Sequence, residues 1–127
     1  MLRLLGGLAI VLAACGGDDG GGAADAPKEG AANTVSEVSP CPGTPDAVVT
    51  TENTSFAYMP QATTITQGQV VQFVLSSDHD VAPNTQVNTD PGLRVNFGQT
   101  KCLRFTATGT FGYKCTPHGF VGTVTVN

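Results

Sequence analysis

From Pro40 onward the chain alternates apolar and polar positions in short runs rich in β-branched residues, the two-residue period of strands with one buried face. The runs are Ala47–Thr51, Ser55–Tyr58, Thr63–Thr66, Val70–Leu75, Leu93–Phe97, Cys102–Ala107, Phe111–Lys114 and Gly119–Val126. Turn chemistry separates them at Gln67-Gly68, Pro83-Asn84, Asp90-Pro91-Gly92 and Thr108-Gly109. No stretch sustains the apolar period of a helix. Seven to eight strands in fewer than ninety residues predict an all-β domain over 40–127, an antiparallel β-sandwich with Greek-key connections.

Ahead of that domain the pattern changes twice. Residues 1–14 carry one positive charge, Arg3, followed by an apolar run from Leu4 to Ala14. The run has the length of a signal-peptide core and is too short to cross a bilayer as a helix. A buried N-terminal strand or helix is the plainer alternative. The next residues favour the signal: Leu12-Ala13-Ala14-Cys15-Gly16 resembles a bacterial lipobox. That resemblance implies cleavage before Cys15, a lipid on its thiol, and a domain outside the cytoplasm at the cell envelope, in the periplasm or on the cell surface. Residues 15–39 are then expected to form a lipid-anchored flexible tether. From Gly16 to Ser39 they hold six Gly, five Ala, five acids and one Lys, too little apolar surface to offset the entropy of ordering.

Composition narrows the field further. Sixteen Gly and eight Pro argue against a helical bundle, while 40% hydrophobic residues suffice for one core. Six Lys and Arg against ten Asp and Glu give a net charge of −4 with no basic cluster, which speaks against a nucleic-acid partner. The tether holds most of that imbalance, so the domain itself is nearly neutral.

The chemistry is concentrated in two histidines and three cysteines. Cys115 ends a strand in Tyr113-Lys114-Cys115-Thr116-Pro117-His118-Gly119-Phe120, three residues before a histidine. A thiolate and an imidazole at this spacing reach one metal if the turn is tight, and Pro117 stiffens it. The other histidine, His79, ends a different strand in Ser77-Asp78-His79-Asp80-Val81. Alone, it reads as a surface-turn histidine. The residues leave two further alternatives open: a strand-end Cys and His without a shared role, or structural zinc drawing on Cys41 and Cys102, although the paired spacing usual for zinc is missing.

The segment GTFGYKCTPHGFVGTVTVN resembles the copper loop of the cupredoxins, the blue type 1 copper proteins, of the plastocyanin, pseudoazurin and amicyanin type. The similarity extends back through Phe56-Ala57-Tyr58-Met59-Pro60, Thr63–Thr66, Gly68–Phe73 and the His79 turn. It implies one copper ion held in a plane by His79, Cys115 and His118. It also implies one-electron transfer through His118 and an apolar patch of Gly119, Phe120 and Pro83, with transient redox proteins as partners of a monomer. With Cys115 given to copper and Cys15 to lipid, Cys41 and Cys102 are read as a disulfide, two free buried thiols being the alternative.

Two departures from the family pattern matter. Asp80 stands where the family has Asn after the first histidine; it is expected to accept a hydrogen bond from the Thr116 hydroxyl, and its charge to lower the reduction potential. No Met follows His118, so the axial position falls on Phe120 or Val121, neither of which can ligate. A backbone carbonyl near Asp78 is a second candidate for that direction, and Met59 a remote one. The reading is an electron carrier rather than an enzyme, because both histidines are already committed. A copper storage, sensing or delivery module is the alternative.

Overall fold

The computed structural model describes residues 34–127, which build two four-stranded sheets around one core. The strands are β1 Val35–Val38, β2 Ala47–Thr50, β3 Ala62–Ile65, β4 Val70–Val74, β5 Ala82–Pro83, β6 Thr100–Phe105, β7 Gly109–Lys114 and β8 Val121–Val126. One sheet runs β1-β6-β4-β2 and the other β3-β8-β7-β5. The expected signal peptide, the lipid on Cys15 and the tether as far as residue 33 lie outside the described residues.

The two-residue period does what the sequence implied. Val71 and Phe73 of β4, Leu103 and Phe105 of β6, Phe111 and Tyr113 of β7 and Val124 and Val126 of β8 all point into the core. Burying such side chains contributes about 1.5–3 kcal/mol each. At one crossing the core needs the space of a missing side chain. Tyr113 faces Gly122 across the β7–β8 ladder, and a Cβ at Gly122 would lie 2.6 Å from the tyrosine ring. Cys41 and Cys102 are bonded, with Cα atoms 5.4 Å apart, tying the segment before β2 to β6. Closing a loop of 61 residues in this way contributes about 4 kcal/mol in the chain-entropy account.

Five details differ from the sequence expectation. Ordered structure reaches back past the expected boundary at Pro40, at least to Thr34: β1 pairs antiparallel with β6, and Val35 is only 4% exposed. Asp90 secures the start of β1, its Oδ2 accepting hydrogen bonds from the Thr34 amide and hydroxyl at 2.9 and 2.8 Å. A four-residue strand was diluted by the Gly-rich composition around it. Ser55–Tyr58 is no strand, the bridge to Thr50 being made by the next residue, Met59, and Leu93–Phe97 reduces to a bridge between Val95 and Val81. The two-residue strand β5 was too short to leave a periodic signal. Finally, β2 pairs with β4, and β3 with β8, in parallel, while the other pairings are antiparallel. Side-chain period is the same in both ladder types, so the sequence carries no sign of the difference.

The strand directions separate two ends of the domain. β1 enters beside Phe105 and Thr106, whereas Thr100, at the other end of β6, adjoins the chain leading from β4 to His79. β7 runs to Cys115 at that second end. The segments carrying both histidines and Cys115 therefore meet at the pole away from Thr34.

Candidate metal centre

The sequence folds His79 into place through a short polar turn after β4. The Ser76 amide donates to the Thr51 hydroxyl at 2.9 Å, the Asp78 amide to Asn53 Oδ1 at 3.1 Å, and the His79 amide to the Ser76 carbonyl at 3.3 Å. The His79 ring ends fully buried. Its Nε2 is 3.0 Å from the Glu52 carbonyl and donates there, which fixes the tautomer and leaves the Nδ1 lone pair facing the cluster.

Cys115 and His118 sit on the loop joining β7 to β8. The Gly119 amide donates to the Cys115 carbonyl at 2.8 Å and the Cys115 amide to the Phe120 carbonyl at 2.9 Å, closing the loop tightly. Gly119 has φ of +78°, a left-handed conformation that favours glycine. This turn brings the His118 ring back over the Cys115 sulfur.

Three ligand atoms converge. His79 Nδ1 and His118 Nδ1 are 3.2 Å apart, and Cys115 Sγ is 3.6 and 3.7 Å from them. A triangle with those sides has a circumradius of about 2.0 Å, the scale of metal–nitrogen and metal–sulfur bonds, roughly 2.0–2.3 Å. The donor set fits copper: one soft sulfur and two imidazoles suit both of its common oxidation states. His79 and Cys115 are buried, while His118 is exposed. Among the described residues this is the only group of three or more His, Cys, Asp or Glu placed to share an ion. Cys41 and Cys102 are bonded to each other, so the zinc alternative loses its extra thiolates.

The surroundings hold these loops together. Asp80 Oδ1 accepts from the Thr116 amide at 2.7 Å and Oδ2 from the Thr116 hydroxyl at 2.8 Å. The hydroxyl bond was expected from the sequence; the amide bond makes the clamp two-pronged. Tyr58 donates its hydroxyl to the Asp80 carbonyl at 2.6 Å, joining a third segment. Burial pushes the Cys115 thiol above its ordinary range, with the Asp80 and His118 backbone amides pulling the other way. Burial likewise raises the Tyr58 and Tyr113 phenols.

The remaining sequence candidates separate clearly. The Phe120 ring lies 4.9 Å from the His79 ring and 4.7 Å from that of Tyr58, beside the cluster. Val121 opposite Lys114 is 40% exposed, and Met59, bridged through its backbone to Thr50, is 38% exposed. Pro83 is buried in β5, so the surface patch expected around it is formed differently. Gly119 is exposed and Phe120 half-buried, and Phe56, which the sequence reading gave no role, stands exposed against the His118 ring. Phe56 and the Glu52 carbonyl were missed because neither carries a local motif; only the folding of 51–58 across the His79 turn places them here.

Comparison with known proteins agrees with this geometry. Residues 45–127 match the family of copper binding proteins described as the plastocyanin/azurin family. Amicyanin from Paracoccus versutus (Thiobacillus versutus) superposes with a TM-score of 0.57 at 23% identity, over 74% of this chain and 98% of its own. An oxidised amicyanin variant gives 0.57 at 23%, and a reduced Cu(I) variant at pH 4 gives 0.56 at 24%, each over 75% of this chain and all of the other. At such identities the likeness speaks for the fold. No curated protein matches the chain. The family match spans most of the sandwich and includes all three converging donors, so the cofactor is one type 1 copper ion and the chain belongs to the plastocyanin/azurin family of copper binding proteins.

Proposed function

We propose that this protein is a one-electron carrier whose copper is held by Cys115, His79 and His118, and that it exchanges electrons with larger redox proteins through the His118 side. The observation that carries this reading is the triangle of two imidazole nitrogens and one thiolate sulfur, already at metal-bonding dimensions. Bound copper supplies a single electron without bonds being made or broken in a substrate. The chain's own residues supply rigidity and access. Glu52 fixes the His79 ring, Asp80 clamps the Cys115–His118 loop to the His79 loop, and two sheets hold both loop bases in place. Rigid donors limit reorganisation when the charge changes by one.

Exposure is confined to one ligand, which suits a carrier. Buried His79 and Cys115 keep solvent from the centre, whereas exposed His118 brings it to the surface. The same burial weighs against a delivery module, which must release its ion readily. Carriers pair through small, short-lived interfaces, so transient redox partners and a monomeric carrier fit this reading. The resemblance of Leu12–Gly16 to a lipobox supports a lipid on Cys15 and a place at the cell envelope outside the cytoplasm. Attachment ahead of Thr34, at the pole away from the metal cluster, would leave the His118 face clear.

Adding Cu(II) to the purified protein tests the proposal. An intense blue thiolate-to-copper band and a reversible one-electron couple are expected, and Cys115→Ser removes the band because a hydroxyl is too hard a donor to replace the thiolate. His118→Gly weakens the band, and added imidazole restores it. A Cys115→Ser protein that stays blue would place the site elsewhere, and rapid loss of copper to a mild chelator would favour the delivery reading.

A further inference from the structure

The two histidines are held by different means. Metal-ligating imidazoles almost always donate their second ring nitrogen to a carbonyl, carboxylate or water, which orients the ring. His79 does so at the Glu52 carbonyl. His118 meets no protein group at its Nε2 among the described residues; its polar contacts with the protein are the two at Nδ1, inside the cluster, so solvent alone reaches the second nitrogen. It is also the exposed ligand, on a loop, where a ring is free to rotate unless something stops it.

A ring lies where it would stop it. Phe56 is 65% exposed, so its position is not explained by burial in the core. Its ring stacks on that of His118 with centroids 4.6 Å apart and planes at 27°, and meets His79 edge-on at 6.0 Å. The segment that carries it is fixed on both sides. Thr50 and Met59 exchange backbone hydrogen bonds at 2.9 Å, Tyr58 is pinned to Asp80, and the Ser55 amide donates to the Glu52 carbonyl at 3.1 Å. That carbonyl also receives His79, so the same short loop orients one ligand by a hydrogen bond and the other by a ring face.

We infer that Phe56 is a positioning residue of the metal centre: its ring holds His118 in the ligating orientation and shields the exposed edge of the site against loss of the ion. This rests on His118 being a copper ligand, as proposed above. A stacked aromatic pair contributes enough to hold a ring against rotation, and a departing ligand must break that contact before a chelator can reach the ion.

The test compares the parent with Phe56→Leu and Phe56→Tyr. Because Phe56 is exposed, both variants are expected to fold with unchanged melting temperatures. Proton NMR of the copper-free protein reads the stack directly. The parent's His118 ring resonances lie upfield under the Phe56 ring current, move toward free imidazole in Phe56→Leu, and return in Phe56→Tyr. In the loaded protein, the rate of copper transfer to a chelator rises about two- to tenfold in Phe56→Leu and is restored in Phe56→Tyr. Unchanged His118 resonances and transfer rates in Phe56→Leu would overturn the inference. So would a lowered melting temperature with His118 unmoved, which would make Phe56 a packing residue only. The two readings fail separately. A parent without the blue band defeats the copper assignment, whereas a blue parent with unmoved transfer kinetics defeats only the role of Phe56.

Discussion

Replacing Asp80 separates charge from clamping at the metal centre. Its carboxylate accepts two hydrogen bonds from Thr116, at 2.7 and 2.8 Å, joining the two ligand loops. Hydrogen bonds to charged groups contribute about 1.5–3 kcal/mol each when desolvated, and Thr116 is exposed, so water compensates in part; Asp80→Ala is expected to cost about 2 kcal/mol. Asp80→Asn keeps an oxygen for the Thr116 amide and offers an NH₂ to its hydroxyl oxygen, so its stability cost stays below about 1 kcal/mol. The charge acts on the potential instead. The Asp80 carboxylate acts on the Cys115 thiol by its charge, and one such negative charge in a partly solvated setting favours the more positive oxidation state by about 1–2 kcal/mol. For a one-electron couple that is ~50–90 mV, so Asp80→Asn raises the potential by that amount. Denaturant unfolding of the copper-free protein gives the stability change, and a redox titration of the blue band gives the potential. A potential that falls or stays fixed in Asp80→Asn would refute the electrostatic argument. Equal destabilisation by Asn and Ala would refute the clamp.

Three further outcomes follow from the described residues. A chain starting at Pro40 should melt more than about 10 °C below one starting at Thr34, because it loses Val35 burial and strands the buried Asp90 carboxylate, a change of about 3 kcal/mol; equal melting temperatures would put β1 outside the cooperative unit. Tyr113→Phe should stabilise the protein by about 1 kcal/mol in denaturant unfolding, because the Tyr113 hydroxyl is buried without a hydrogen-bond partner; a loss of stability would mean the hydroxyl is satisfied. Alkaline pH should destabilise the copper-free protein. Folding raises the Cys115 thiol above its ordinary 9.0 and the Tyr58 and Tyr113 phenols above 10.0, so the unfolded chain ionises first, and stability that is full below pH 9 falls as pH climbs past it. Unfolding curves that do not change from pH 8 to 11 would contradict this.

Several features were legible along the chain because their signals are local. Alternating apolar positions in β4, β6, β7 and β8 can bury one face only as strands, and without a helical period they leave a sandwich as the way to form a core. The Cys115–His118 spacing, with Pro117 between, is a property of one tight turn, so its chemistry could be read before its shape. Everything that depends on segments distant in sequence was decided by tertiary structure. His79 becomes a buried neighbour of Cys115 only because β4 and β7 end at the same pole. β1 forms because β6 offers it an edge and Asp90 its start, not because Val35-Ser36-Glu37-Val38 has much strand signal of its own amid Gly-rich sequence. Parallel pairing of β2 with β4 and of β3 with β8 leaves no mark in the side-chain period. Phe56 has the same sequence signal as any exposed aromatic residue; its place on the His118 ring comes from a loop fixed at Thr50, Asp80 and Glu52. Periodicity and turn chemistry act over a few residues and so are written in the sequence, whereas the placement of a ligand or its support is a contact between loops, fixed only once the sheets have packed.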